Sequence, residues 1–246
     1  MIKIEICCAS AADALAAKKG EADRIELNSA IELGGLTPSL AQIEMTKKLV
    51  ELPVLVMIRP RSYGFCYSKL EFKMMQRDAS LALAAGADGI VFGILTPDGQ
   101  IDLSRNKIMA DIAGEKEAVF HRAFDVVANP WQAIDQLASL NIDRILTSAQ
   151  QPKVNNNLSL AKKIVDYAAG KLEIVLAGGI RSHNAAEIIQ STGCSQIHLT
   201  AFSSNYDASL QHKPEGLNFN SKKLLAESEY GAIDPEKVKV ISELIK

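Results

Sequence analysis

Two short runs concentrate the ionisable chemistry of this chain: Met57-Ile58-Arg59-Pro60-Arg61 and Phe120-His121-Arg122-Ala123-Phe124-Asp125. In each, an apolar stretch breaks abruptly into charge. A guanidinium is planar and grips a carboxylate or phosphate through two parallel N–H donors, so Arg59, Arg61 and Arg122 are candidate anion-binding residues. The competing reading is that they pair with Glu5, Glu26 or Asp125 and close the core, because a desolvated cation is costly unless paired. Histidine's unperturbed pKa lies near neutrality, so His121, beside Arg122 and Asp125, is an acid–base candidate. His198 with Glu5 or Glu26 is a second one, either a general-base dyad or a structural pair. Gly178-Gly179 lets backbone amides approach an anion, or simply makes a tight turn.

The four cysteines, Cys7, Cys8, Cys66 and Cys194, have neither disulfide-framework nor zinc-finger spacing. Each reads first as a small buried hydrophobe in a reducing compartment. The chain has 246 residues, 48% hydrophobic and 23% charged, with a formal net charge of -2. That balance does not point to a nucleic acid or an anionic membrane as partner. Aromatic residues at 5% are too sparse for a base-stacking platform. No apolar run reaches the roughly 20 residues of a membrane span, and Glu5 interrupts the stretch where a signal peptide needs apolar residues. A cytoplasmic protein is expected.

These candidates need a scaffold that brings them together. Strands are expected at Lys3–Cys7, Arg24–Leu27, Val54–Arg59, Gly89–Phe92, Ala118–His121, Arg144–Thr147, Ile174–Ala177 and Gln196–Thr200. Amphipathic helices are expected between them, at Ala11–Lys19, Leu40–Leu49, Leu70–Ala85, Trp131–Leu140 and Leu160–Ala168. A doubly wound sheet and a (β/α)8 barrel both fit such alternation. An internal repeat decides. The segments beginning at Glu21, Gly86, Asn141 and Gly193 share one shape, and their isoleucines, Ile25, Ile90, Ile145 and Ile197, lie 65, 55 and 52 residues apart. Four repeated (βα)2 quarters predict an α/β fold, a single-domain (β/α)8 TIM barrel over residues 1–246.

Alternation then sends Glu26, Val91, Leu146 and His198 into the lumen as one layer, with Asn28, Gly93, Ser148 and Thr200 around the C-terminal mouth. The odd strands add Glu5, Cys7, Arg59 and His121. Thr37 or Ser39 is expected to cap the next helix, with Pro38 near its first turn. Residues 203–229, with His212, Lys213 and Pro214, read as a long polar loop, either a lid or an unstructured segment. Loops after the seventh and eighth strands often hold phosphate in barrels, and Gly178-Gly179 supplies half of such a site here.

Several motifs, in order, resemble the copper homeostasis protein CutC family: Glu5-Ile6-Cys7, Ala22-Asp23-Arg24-Ile25-Glu26-Leu27, Gly34-Gly35-Leu36-Thr37-Pro38-Ser39, Ile58-Arg59-Pro60-Arg61, Phe65-Cys66-Tyr67-Ser68, Phe120 to Asp125, and Leu146-Thr147-Ser148. The resemblance implies a barrel, a homo-oligomer, and cytosolic copper(I) binding or trafficking. It adds Arg24, Thr147 and Ser148 to the ligand-facing candidates. For copper it implies Cys7, with Cys66 as the only plausible helper, because the family's second cysteine position falls on Asn28. Cu(I) favours soft thiolate or thioether ligands. Two functions are therefore expected as alternatives: Cu(I) binding, or a barrel enzyme or binding protein for a small anionic metabolite.

Overall fold

The repeat is a helix-stop and strand-start device. In the computed structural model, which describes residues 2–212, 214, 217 and 229–246, Glu21, Gly86, Asn141 and Gly193 all adopt left-handed backbone conformations just past a helix. The amide of the apolar residue that follows closes the last turn in three of them: Ala22 N–H to Ala17 O, Ala87 to Ala82 and Ile142 to Leu137. The aspartate after it then reaches across to start the preceding strand. Asp23, Asp88 and Asp143 accept from the amides of Ile4, Val54 and Ala118, each at 2.8 Å. The fourth quarter has Ser195 in place of the aspartate, and its carbonyl accepts from Lys3 N at 2.8 Å, on the chain's first strand rather than the preceding one.

The strands are β1 (Lys3–Cys8), β2 (Arg24–Leu27), β3 (Val54–Met57), β4 (Gly89–Phe92), β5 (Glu117–Phe120), β6 (Arg144–Thr147), β7 (Glu173–Leu176) and β8 (Gln196–Leu199), all parallel and closed in sequence order with β8 beside β1. Helices α1 (Ala11–Lys19), α2 (Leu40–Leu49), α3 (Lys69–Ala84), α4 (Leu103–Ala113), α5 (Pro130–Ser139), α6 (Leu158–Ala168), α7 (Ala185–Thr192) and α8 (Pro235–Ile245) complete the (β/α)8 barrel. The main core lies between strands and helices and contains Ile25, Ile90, Ile145 and Ile197. Side chains two residues apart on alternate positions turn into the lumen, where Leu55, Met57, Val91 and Val119 form one apolar cluster and Leu146, Val175 and Ala177 another.

Some expectations need correcting. The third, seventh and eighth strands end before Arg59, Ala177 and Thr200, and His121 lies just past β5. Residues 203–229 do not form one continuous loop: Phe202–Tyr206 is β9, paired antiparallel with β10 (Glu229–Ile233). His212 and Pro214 are exposed, whereas Lys213 and the rest of the expected lid or unstructured segment lie outside the described residues. Ser39 caps α2 by accepting from Gln42 N, but Thr37 does not cap it. Its hydroxyl instead accepts from Arg59 N at 2.9 Å, tying the β2–α2 connection to the end of β3. Among the described residues, no helix is long and apolar enough to cross a membrane.

Candidate functional site

Charge enters the lumen on one side, carried by β8, β1 and β2. Register sets Glu5 opposite both Arg24 and His198, and Cys7 opposite Glu26. Arg24 donates from Nε to Glu5 Oε2 at 2.5 Å and from a terminal nitrogen to Gln196 Oε1 at 2.9 Å. Gln196 passes the chain on to Glu173, and Arg144 pairs with Glu117. Arg24, Arg144 and Gln196 stand at equivalent positions of the repeat, one layer below Glu26, Leu146 and His198. That offset was the signal by which Arg144 and Gln196 were findable from sequence. Arg24 thus lies deep in the barrel as part of this ionic layer, away from the mouth.

One layer up, the Glu5 Oε1 to His198 Nδ1 distance is 2.7 Å, and His198 Nε2 lies 4.0 Å from Glu26 Oε2. Asn28 donates to Glu26 Oε2 at 2.7 Å and lies 3.4 Å from Cys7 Sγ. All five side chains are buried. Burial penalises the Glu5 carboxylate, yet Arg24 and His198 outweigh it and hold the group well below the usual carboxylate range. Glu26 has no guanidinium beside it; burial dominates and pushes its pKa up, helped by Glu5. Burial also opposes charge on His198, but Glu26, Cys7 and Glu5 reverse the sign and raise its pKa well above neutral histidine. Burial pushes the Cys7 thiol up to about 12. The cluster is one imidazolium between two unequal carboxylates: Glu5 permanently ionised, Glu26 readily protonated.

A second group surrounds the mouth. Arg59 is buried, and its guanidinium donates to the carbonyls of Leu33, Gly35 and Tyr63. It stacks 5.3 Å from the Phe65 ring, which lies 4.9 Å from His121. His121 Nδ1 accepts from Ala123 N at 3.2 Å, so the neutral ring carries its proton on Nε2. Burial and then Arg59 lower its pKa to about 3, which makes it a hydrogen-bond donor at neutral pH rather than a base. Arg61 binds Glu71 at 2.5 Å and the carbonyls of Ser62, Gly64 and Cys66.

The third group is a braced loop. Asp125 accepts from Thr147 Oγ1, Arg122 Nε, and the amides of Ser148 and Gln150. Arg122 also reaches Ser148 Oγ at 2.6 Å. Gly178 and Gly179 have left-handed backbones, and a Cβ on them would lie 2.9 Å from Ser148 Cβ and Lys153 Cγ respectively. Their absent side chains admit the neighbouring loop. Between the β7–α7 turn, the start of β9 and α8 lies a cavity of about 500 Å3, lined by Arg181, His183, Phe202 and Lys237 among others. Most mouth arginine donors are engaged by carbonyls and carboxylates. Six polar side-chain atoms are buried and unpaired among the described residues: Glu26 Oε1, Asn28 Oδ1, Arg59 Nε, Tyr67 Oη, His121 Nε2 and, at depth, Arg144 Nε.

The class is that of the closed parallel (β/α)8 barrels, here with a buried carboxylate–imidazole–thiol cluster in the lumen. The CutC family model matches residues 2–203, and the chain belongs to that family. It is 47% identical to a CutC family protein of Treponema denticola over 87% of each chain. It is 35% identical to the human copper homeostasis protein cutC homolog, covering 99% of this chain and 89% of the other. A crystal structure of CutC from Streptococcus agalactiae, 33% identical, superposes with a TM-score of 0.77 over 80% of this chain and 98% of that one.

The family's name carries copper, and the donor set can be tested against it. Cys7 is the lone thiol of the lumen cluster. Cys8 packs in the helix-facing core, Cys194 donates to Ile174 O and Gln196 O, and Cys66 is exposed in the loop after β3. Asn28 stands where the resemblance implies the second cysteine. One thiol among amide, carboxylate and imidazole does not suit a paired-thiolate Cu(I) site.

Proposed function

We propose that this chain binds a small, hydroxylated anionic metabolite at the C-terminal mouth of the barrel and exchanges a proton with it through Glu26 and His198. The reading rests on one observation: of six buried, unpaired polar atoms, four belong to side chains toward the mouth end of the lumen, acceptors on Glu26 and Asn28, donors on Arg59 and His121. An unsatisfied buried group costs about 1–3 kcal/mol, so four together mark a place where a ligand completes the bonding. The acceptors suit ligand hydroxyls, and the donors suit a carboxylate or phosphate oxygen. Glu26, whose pKa burial pushes up, is the carboxyl that takes up and releases the proton, while the depressed Glu5 stays ionised and fixes the imidazole.

The test is a thermal-shift screen of hydroxycarboxylates and sugar phosphates against wild type and His121→Phe, which keeps the ring against Phe65 but removes the donor. At least one compound should raise the wild-type Tm by several degrees, with most of that shift lost in the variant. Indifference of the wild type to the whole panel contradicts the proposal.

A further inference from the structure

We propose that Cys7 Sγ, the Glu26 carboxylate and His198 Nε2 form a site for a divalent cation of borderline softness, of the zinc and cobalt class, rather than for Cu(I). Among the described residues these three ligand atoms all lie within 4.8 Å of one another, with Cys7 and Glu26 buried and the His198 side chain slightly exposed. Thiolate, imidazole and carboxylate are the donors zinc takes. Bonds of 2.0–2.3 Å at tetrahedral angles put ligand atoms roughly 3.3–3.8 Å apart, so the side chains need close by only about an ångström.

Three further features turn proximity into a site. First, Glu5 Oε1 holds His198 Nδ1 at 2.7 Å and is itself held by Arg24. That is the carboxylate–imidazole support behind metal-bound histidines, and it leaves Nε2 for the cation. Second, Asn28 Nδ2 sits between Glu26 Oε2, at 2.7 Å, and Cys7 Sγ, at 3.4 Å. A partly positive amide therefore occupies the point where sulfur and oxygen converge, as a cation would. Third, Glu26 Oε1 and Asn28 Oδ1 are buried without partners. A half-turn of the amide would present Oδ1 as a fourth, weak ligand, which an incoming molecule could displace from the three stronger ones. On binding, the Cys7 proton and the proton on His198 Nε2 both leave to solvent, as the thiolate and the neutral imidazole form. The inference stands whether or not a metabolite binds at the mouth. With a cation present, Glu26 is a ligand rather than a proton acceptor.

The experiment titrates the full chain with Co2+ alone and follows the thiolate-to-cobalt charge-transfer absorption, then displaces it with Zn2+. Wild type should show a saturable band that one equivalent of Zn2+ removes. Cys7→Ser should lose the band, and Glu5→Gln should weaken binding about 10–100-fold without abolishing it. A wild type without the band, a band that survives Cys7→Ser, or Cu(I) displacing Zn2+ from Cys7 in a competition titration overturns the proposal. Because the wild-type titration contains no metabolite, its failure leaves the proton-exchange reading standing. Failure of the metabolite screen likewise leaves this one standing.

Discussion

The lumen has two halves built on the same strand geometry and filled with opposite chemistry. Around β3 to β5 it holds Leu55, Met57, Val91 and Val119, packed against one another. Around β8, β1 and β2 the same inward positions hold Glu5, Cys7, Arg24, Glu26, Gln196 and His198, all buried. The apolar half satisfies itself by contact alone. The polar half pairs Glu5, Arg24 and Gln196 at depth, where the neighbouring Arg144 keeps Nε unpaired, and nearer the mouth it leaves free acceptors on Glu26 and Asn28. Two free acceptors beside Cys7 and His198, at the end where barrels work, suit a ligand site.

The sharpest way to break this contrast is to remove one partner at depth. Arg24→Met strands the Glu5 carboxylate with only His198 and should cost about 3–5 kcal/mol in urea unfolding. The double variant Glu5→Leu with Arg24→Met should recover most of that loss, since an apolar replacement of the whole pair restores the chemistry of the other half. A double variant no better than the single would mean that the ionic layer is not self-contained. In the apolar half, Leu55→Ala should cost about 2–4 kcal/mol through the cavity it leaves. No second substitution among polar residues should rescue it.

Acid separates the halves further. His121 has a folded pKa of about 3, below its unfolded value near 6.5, so the unfolded chain binds the extra proton first. Stability therefore falls as pH drops from about 6.5 toward 3, by up to about 1.4 kcal/mol per pH unit for this one group. Glu5, also depressed, adds to the decline below the ordinary carboxylate pKa. His198 contributes in the opposite sense: its folded pKa is raised, so its stabilisation is full below about 6.5 and lost as pH rises through the raised value. Chemical denaturation of wild type and His121→Phe between pH 7 and 5 should show the wild-type slope flattened in the variant. The smallest effect belongs to the scaffold. Ser39→Ala removes the α2 cap and should cost about 1 kcal/mol, with no change in the binding measured at the mouth.

Much of this was legible in the sequence, and the reason is periodicity. The fourfold turn carries its own mechanics, a left-handed residue, an apolar plug and an aspartate, so it announced both the barrel and the inward parity of Glu26 and His198. Helices α4, α7 and α8 were implied by the eightfold alternation but not located. For α4 the signals were present, with Asp102 as cap and Gly114 after the end, but its apolar residues are spread too evenly to stand out. The hairpin of β9 and β10 was hidden because Gly231 and polar residues occupy strands exposed to solvent. The arginines were legible as a cluster but not in their partners. Arg59 spends its donors on carbonyls of residues 33, 35 and 63, and backbone acceptors leave no mark in a residue pattern. The exchange of a cysteine position for Asn28 was legible, whereas its amide lying between Cys7 and Glu26 needed three dimensions.

The central claim is that the mouth end of the polar half is kept for a ligand and not for the fold. Equilibrium unfolding of Glu26→Gln tests it most directly, because glutamine keeps the volume and an acceptor for Asn28 while removing the buried, half-satisfied carboxylate. The account predicts stability equal to or above wild type, together with loss of binding at the mouth. A fall of more than about 1 kcal/mol, the worth of an ordinary buried hydrogen bond, would make Glu26 a structural residue and contradict it.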